Sequence, residues 1–319
     1  MRRGSLSIAF GISTLLSACQ PHAQPTPPPA EAPAALVALT GASVMLAVGD
    51  IGNCATNGDE LTAALVDSLL KADSAAKVTD VVATLGDNAY PDGSARDFVR
   101  CFTPSWGDSN KRIMKQIRPS PGNHEHLSGM AAPYYDYFGS RAGSPKKGYY
   151  SYDLGDWHVI TLNSELFVNI GFTEAERQAQ LDWLDADLKG NTKVCTMAYW
   201  HNPRWSSGWH GSDPRLDALW QRLYNAGVDV VLNGHDHDYE RFVPLSPAGT
   251  EDSVKGIAEF VVGTGGGGLR GITRKVDNSA FRLEGYYGIL KLTLGSKEYQ
   301  WAFLDTGGRV WDPGAGKCH

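Results

Sequence analysis

The chain has no run of lysine or arginine, and its 29 basic and 35 acidic side chains leave a formal net charge of −6 over 319 residues. Without a basic stripe there is no electrostatic footprint for a nucleic-acid backbone, so no nucleic-acid partner is expected. Long apolar runs are missing too. The mostly apolar stretch at residues 6–16 is too short to cross a bilayer as a stable anchor. No internal repeat is evident. The glycine-rich run at residues 263–268 lacks the Lys-Ser/Thr ending and following helix of a phosphate-binding loop, so it is read as a flexible turn near a site. Hydrophobic residues at 42% and charged residues at 20% are ordinary for a globular protein, which excludes a largely disordered or fibrous chain.

Arg2 and Arg3 precede the apolar stretch, which ends in Leu16-Ser17-Ala18-Cys19. This is the layout of an export signal. The four residues resemble the lipobox of bacterial lipoproteins, which implies cleavage before Cys19 and lipid on that cysteine; Gln20 then implies the outer membrane, and an ordinary secretory signal, with a periplasmic or secreted protein, is the alternative. Residues 1–18 are read as a lipoprotein-type signal peptide and residues 19–41, rich in proline and alanine, as an extended tether. Residues 42–319 form the folded domain. Export puts Cys54, Cys101, Cys195 and Cys318 in an oxidising compartment. Three pairings are possible. Cys54 with Cys101 and Cys195 with Cys318 is favoured, because Cys54 and Cys101 each follow shortly after a strand that ends near the presumed site.

From Ser43 onward, short apolar runs stop at polar, glycine-bearing turns: 44–48, 78–85, 157–162, 194–200 and 228–232. Such runs predict buried strands. Helices are predicted between them at 58–72, from Thr173 and at 213–226. Thr173 and Glu176 have capping-box spacing, Leu181, Leu184 and Leu188 recur on one face with Trp183 beside them, and Gly190 supplies a stop. Towards the C-terminus, runs at 259–262, 286–294 and 299–304 suggest a second sheet. The expected fold is α/β, with a two-sheet β-sandwich core flanked by helices in four αββα layers.

Five segments follow such strands: Gly49-Asp50-Ile51-Gly52, Gly86-Asp87-Asn88-Ala89-Tyr90, Gly122-Asn123-His124-Glu125, Trp200-His201 and Gly234-His235-Asp236-His237. Each alone is no more than a turn or a polar group with a partner. Together they supply carboxylate, amide and imidazole donors suited to a mixed pair of transition metals. Open α/β sheets bind ligands at the carboxyl ends of their strands.

In this order the segments resemble the calcineurin-like metallophosphoesterase superfamily, and within it the purple acid phosphatases. Two features select the branch. The first segment is Asp-x-Gly rather than Asp-x-His, and Tyr90 stands where a tyrosine ligand replaces the missing histidine. The stretch 234–241, ending Tyr239-Glu240-Arg241, matches the closing motif. The resemblance implies that Asp50, Tyr90 and His237 bind iron(III) and that Asn123, His201 and His235 bind zinc, manganese or iron(II). Asp87 would bridge the two ions. It further implies hydrolysis of phosphate monoesters by a hydroxide shared between the ions, with small phosphate esters as substrates. His124, and His210 in the loop after His201, would bind phosphoryl oxygens and protonate the leaving alcohol. A phosphodiesterase or nucleotidase on the same metals is the alternative, and a non-catalytic metal- or phosphate-binding lipoprotein a more distant one. Oligomeric state is left open. His126, His158 and His319 are read as packing or surface residues.

Overall fold

A computed structural model describes Met1 and residues 39–107, 112–144 and 146–319. Apart from Met1, the segment expected to be a signal peptide, most of the expected tether and Cys19, the expected lipid site, lie outside the described residues. Thirteen strands follow in chain order: β1 Ser43–Val48, β2 Asp80–Leu85, β3 Ile117–Ser120, β4 Tyr150–Leu154, β5 Trp157–Thr161, β6 Cys195–Tyr199, β7 Val230–Asn233, β8 Tyr239–Phe242, β9 Ala258–Val262, β10 Ser279–Leu283, β11 Gly288–Leu294, β12 Glu298–Asp305 and β13 Val310–Lys317. They build two mixed sheets, ordered β13-β12-β11-β1-β2-β3 and β10-β8-β9-β7-β6-β5-β4. The C-terminal strands therefore do not make a sheet of their own. β11, β12 and β13 extend the sheet that β1 begins, while β9 and β10 belong to the other.

Strand alternation explains the layering. Successive side chains of a strand point to opposite faces. Met197 and Tyr199 of β6 and Val230 and Leu232 of β7 join the core shared with the first sheet, which includes Met45, Ala47 and Phe303. Their neighbours Ala198 and Val231 join a second core with Leu181, Leu184, Leu219, Trp220 and Leu223. Those last residues come from the helices Glu174–Gly190 and Asp217–Asn225, so both faces of the second sheet are covered. On the first sheet, the helix Gly58–Ala76 contributes Val66 and Leu70.

The helix starts follow the sequence logic. Thr173 Oγ1 accepts from the backbone N–H of Glu176 at 3.3 Å, and Glu176 Oε2 accepts from the N–H of Thr173 at 2.8 Å. Trp183 is half-buried with its ring 5.0 Å from that of Tyr149. The helix expected at 213–226 divides into a short 3₁₀ turn, Pro214–Leu216, with Asp213 accepting from the N–H of Arg215, and an α-helix, Asp217–Asn225. Among the described residues no helix is long and apolar enough to cross a membrane.

Two disulfides join Cys54 to Cys101 and Cys195 to Cys318, the pairing favoured from sequence. Strands β1, β2 and β3 run parallel, as do β5, β6, β7 and β9. Parallel strands end on the same edge. All five motif segments therefore emerge at one edge of the sandwich, directly after β1, β2, β3, β6 and β7.

Candidate metal centre

At that edge the chain turns sharply, and three of the expected ligands carry the strain themselves. Asp50, Asp87 and His235 have φ of 61°, 49° and 71°, which is left-handed backbone that non-glycine residues adopt at a cost. Gly86 is needed beside them. Its φ is +84°, and a Cβ there would stand 2.5 Å from Nδ1 of His201.

Two clusters of donor atoms result. Tyr90 Oη lies 2.9 Å from Asp50 Oδ1, 3.1 Å from Asp87 Oδ2 and 3.2 Å from His237 Nε2. His201 Nε2 lies 3.0 Å from Asn123 Oδ1, 3.3 Å from Asp87 Oδ2 and 3.1 Å from His235 Nδ1. One oxygen, Asp87 Oδ2, belongs to both. The structure thus brings the seven expected ligands together in two clusters that share Asp87.

The spacing fits metal ions. Donors about 2.1 Å from one ion, at right angles around it, stand about 3 Å from each other. The single phenolic proton of Tyr90 can serve only one of the two carboxylate oxygens beside it, Asp50 Oδ1 and Asp87 Oδ2. The remaining atoms of these side chains are tied to backbone. His201 Nδ1 contacts the carbonyl of Leu85 at 2.8 Å and His237 Nδ1 that of Gly268 at 2.7 Å, which turns each Nε2 inward. Asp50 Oδ2 accepts from the N–H of His235 at 2.8 Å, and Asp87 Oδ1 from that of His124 at 2.9 Å.

The electrostatics agree. Burial pushes Asp50 up, but the charge of His237 outweighs it and holds the carboxyl below its ordinary range. Burial also opposes the charge of Asp87, and the neighbouring His201 overcomes it, so this carboxyl too is held far down. His201 is driven down by burial and lifted by Asp87, to about 10. Burial, with the charges of His201 and His210, pushes His235 well below the ordinary histidine value. Burial, Asp50 and Asp87 all raise the Tyr90 phenol. A cation binding here meets two charged carboxylates and displaces protons from Tyr90, His201 and His237.

The expected substrate-facing histidines lie around this centre. His124 Nε2 is 3.7 Å from Asp87 Oδ2, while its Nδ1 contacts the carbonyl of Pro91. His210 is exposed, with its ring 4.0 Å from that of His235, and its backbone N–H donates to Asp236 Oδ1 at 2.6 Å. The glycine-rich run borders the site, yet it is bound to it rather than free. Gly265 and Gly267 donate to the carbonyls of Gly49 and Asp50 at 3.0 and 2.7 Å, and a Cβ on Gly265 would stand 2.5 Å from Gly49 O.

Sequence reasoning left three residues of the site without a role. Glu125, fully buried and raised to about 7 by burial and by Asp87, accepts from the N–H groups of Asn88, Ala89 and Gly122. Its position three residues after Gly122, from which a glutamate can reach back to the N–H that precedes the helix, was the available signal. Asp236, between the two ligand histidines, accepts from the N–H groups of His210 and Gly211 and from Ser206 Oγ. Arg270 reaches the site through the fold, and no local sequence signal marks it.

Comparison with known proteins adds the family context. Residues 44–239 match the calcineurin-like phosphoesterase family. Acid phosphatase type 7 of Homo sapiens is 28% identical over 200 residues, covering 55% of this chain and 44% of that protein. Purple acid phosphatase 15 of Arabidopsis thaliana is 26% identical over 196 residues, covering 51% of this chain and 36% of that protein. The chain spans less than half the length of these curated relatives. Among solved structures, the purple acid phosphatase PPD1 from yellow lupin (Lupinus luteus) seeds has a TM-score of 0.70 at 19% identity, covering 86% of this chain and 54% of that chain. GAP50, the anchor in the inner membrane complex of Plasmodium, has a TM-score of 0.69 at 16% identity, covering 87% and 89%. At these identities the two structures show a shared fold.

Proposed function

This chain belongs to the calcineurin-like phosphoesterase family, and from that premise we propose that it hydrolyses phosphate monoesters at a dinuclear metal site. The observation that supports this most is the placement of Asp87 Oδ2, 3.1 Å from Tyr90 Oη and 3.3 Å from His201 Nε2, so that a single carboxylate oxygen serves both donor clusters. Asp50, Tyr90 and His237 would hold one ion and Asn123, His201 and His235 the other. When bound, such a pair supplies Lewis acidity that polarises phosphoryl oxygens and makes water acidic enough to attack near neutral pH.

The chain's own side chains do the rest. His124 is fixed by its Nδ1 contact with Pro91, which leaves Nε2 to carry a proton to the departing alkoxide. His210 Nε2 meets the guanidinium of Arg270, which has only donors, so the ring proton of His210 sits on Nδ1 and is available to a phosphoryl oxygen. Asp236 holds the backbone of His210 while Ser206 and Ser207 anchor the loop below, so this donor is positioned before substrate arrives.

The phenolate and two carboxylates of the first cluster favour a hard trivalent ion, and the second cluster a divalent one. Iron(III) with zinc, manganese or iron(II) is the pair we propose. A visible absorption band lost in Tyr90→Phe is the expected signature; a colourless protein holding two zinc ions would remove iron and leave the hydrolase reading intact. We also propose that the chain is exported and lipid-anchored through Cys19. The two disulfides support an oxidising compartment.

The reading is tested by turnover of p-nitrophenyl phosphate against bis(p-nitrophenyl) phosphate with metal-reconstituted protein. Faster monoester turnover is expected. Dominant diester turnover would move the assignment to a phosphodiesterase, and no turnover by folded protein with two bound ions would overturn it.

A further inference from the structure

Beside the two donor clusters stands a guanidinium that forms no ion pair among the described residues. Arg215 pairs with Asp213 at 2.6 Å and Arg241 with Asp312 at 2.7 Å, whereas among the described residues Arg270 has no carboxylate within ion-pair distance. Its place is fixed from two sides. The backbone N–H of Arg270 donates to the carbonyl of His237 at 3.1 Å, and Gly268, two residues earlier, accepts from His237 Nδ1 at 2.7 Å. The segment that carries Arg270 is thus clamped to a residue of the first donor cluster. Its guanidinium reaches across to Nε2 of His210, whose ring packs 4.0 Å from that of His235 in the second cluster. The contacts His237–Arg270–His210–His235 therefore arch over one side of the centre. An open cleft of about 400 Å³, lined in part by His210, His235, Asn202 and Ser212, begins at the same histidines.

A guanidinium offers five donors in a planar fork, and one contact with an imidazole leaves most of them unused. In a protein of net charge −6, an anionic substrate must find its positive charge at the site itself. We infer that Arg270 is a substrate-binding residue whose guanidinium takes a nonbridging oxygen of the phosphoryl dianion and so favours monoesters over diesters. A monoester dianion presents three terminal oxygens and one more negative charge than a diester, so the fixed cation acts on it more strongly. This deepens the phosphoesterase reading and rests on it.

The test compares wild type, Arg270→Ala, Arg270→Lys, His210→Ala and the double variant, all metal-loaded. The readouts are kcat and KM for the mono- and bis-p-nitrophenyl esters, and inhibition by inorganic phosphate. Arg270→Ala is expected to raise KM for the monoester and the inhibition constant for phosphate by about 10- to 100-fold, with diester kcat/KM changed by less than about threefold. Arg270→Lys should recover part of the loss, since it keeps the charge and loses the fork. Arg270→Ala should still weaken phosphate inhibition in the His210→Ala background. Equal losses on both esters, or no further effect in that background, would show that Arg270 acts only by positioning His210 and would overturn the inference. Absence of all turnover in wild type is a different result: it overturns the hydrolase reading, and phosphate binding followed by calorimetry then decides the role of Arg270 alone.

Discussion

Glu125 Oε1 accepts the backbone N–H of Asn88 at 2.8 Å, which ties the helix that begins at Asn123 to the loop that carries Asp87 and Tyr90. The same carboxylate takes the N–H groups of Ala89 and Gly122. Removing it strands buried donors. Glu125→Ala is expected to cost about 2–4 kcal/mol in urea unfolding and to weaken metal binding about 10- to 100-fold. Glu125→Gln, which keeps one acceptor oxygen, should fall between. Unchanged metal affinity in the alanine variant would contradict the positioning role.

His210 touches the centre only through its ring contact with His235, and none of its atoms lies in either donor cluster. His210→Ala should therefore leave metal content intact while lowering kcat by about 10- to 100-fold. Metal analysis and turnover on the same sample check both halves. Loss of an ion would mean that His210 supports the second cluster rather than the substrate.

Away from the site, His158 meets Asp153 at 3.0 Å through Nδ1 and Asp187 at 2.8 Å through Nε2. Burial opposes its charge, but Asp187 and Asp153 outweigh burial and raise its pKa. With the folded-state value raised, the stabilisation is full below the ordinary histidine value of about 6.5 and is lost as pH rises through the folded value. The difference in urea midpoint between wild type and His158→Gln should be largest near pH 6, equivalent to about 1–2 kcal/mol, and shrink as the solution becomes alkaline. A gap independent of pH would assign the effect to packing.

Cys195 and Cys318 are joined across a sequence separation of 123 residues, and the bond holds the end of β13 to the start of β6. Closing so long a loop restricts the unfolded chain. The Cys195→Ala, Cys318→Ala double variant should lose about 3–5 kcal/mol of stability, read as a urea midpoint measured without reductant. The centre, at the opposite end of β6, should keep its metal affinity.

What was legible in the sequence was what the chain encodes locally. Four of the five motif segments open on a glycine, and all but the one at Gly122 follow an apolar run, so the end of the strand and the residues after it could be read together. Strand β3 is different, because four residues including Arg118 and Pro119 give no periodic signal. β13 contains Pro313, Gly314 and Gly316, residues poor in strand propensity, and it survives at the sheet edge, where a missing donor is tolerated. The assignment of β11 and β12 to the first sheet was hidden, since pairing with β1 joins segments far apart in sequence. The aromatic stretch 134–138 carried no assignable motif. Tyr134 and Phe138 prove to be fully buried packing residues, with Tyr134 Oη bonded to Pro119 O at 3.0 Å. Arg270 was invisible for the same reason as β11: its partners, His210 and His237, come to it through the fold.

The most direct test of the central claim, that Asp87 makes two ions into one catalytic site, is metal stoichiometry and p-nitrophenyl phosphate turnover measured together on wild type and Asp87→Asn. Wild type should hold two ions per chain and turn over the ester. The variant, folded by circular dichroism, should lose at least one ion and at least about a thousandfold in kcat/KM. An Asp87→Asn protein that kept both ions and wild-type turnover would contradict the account.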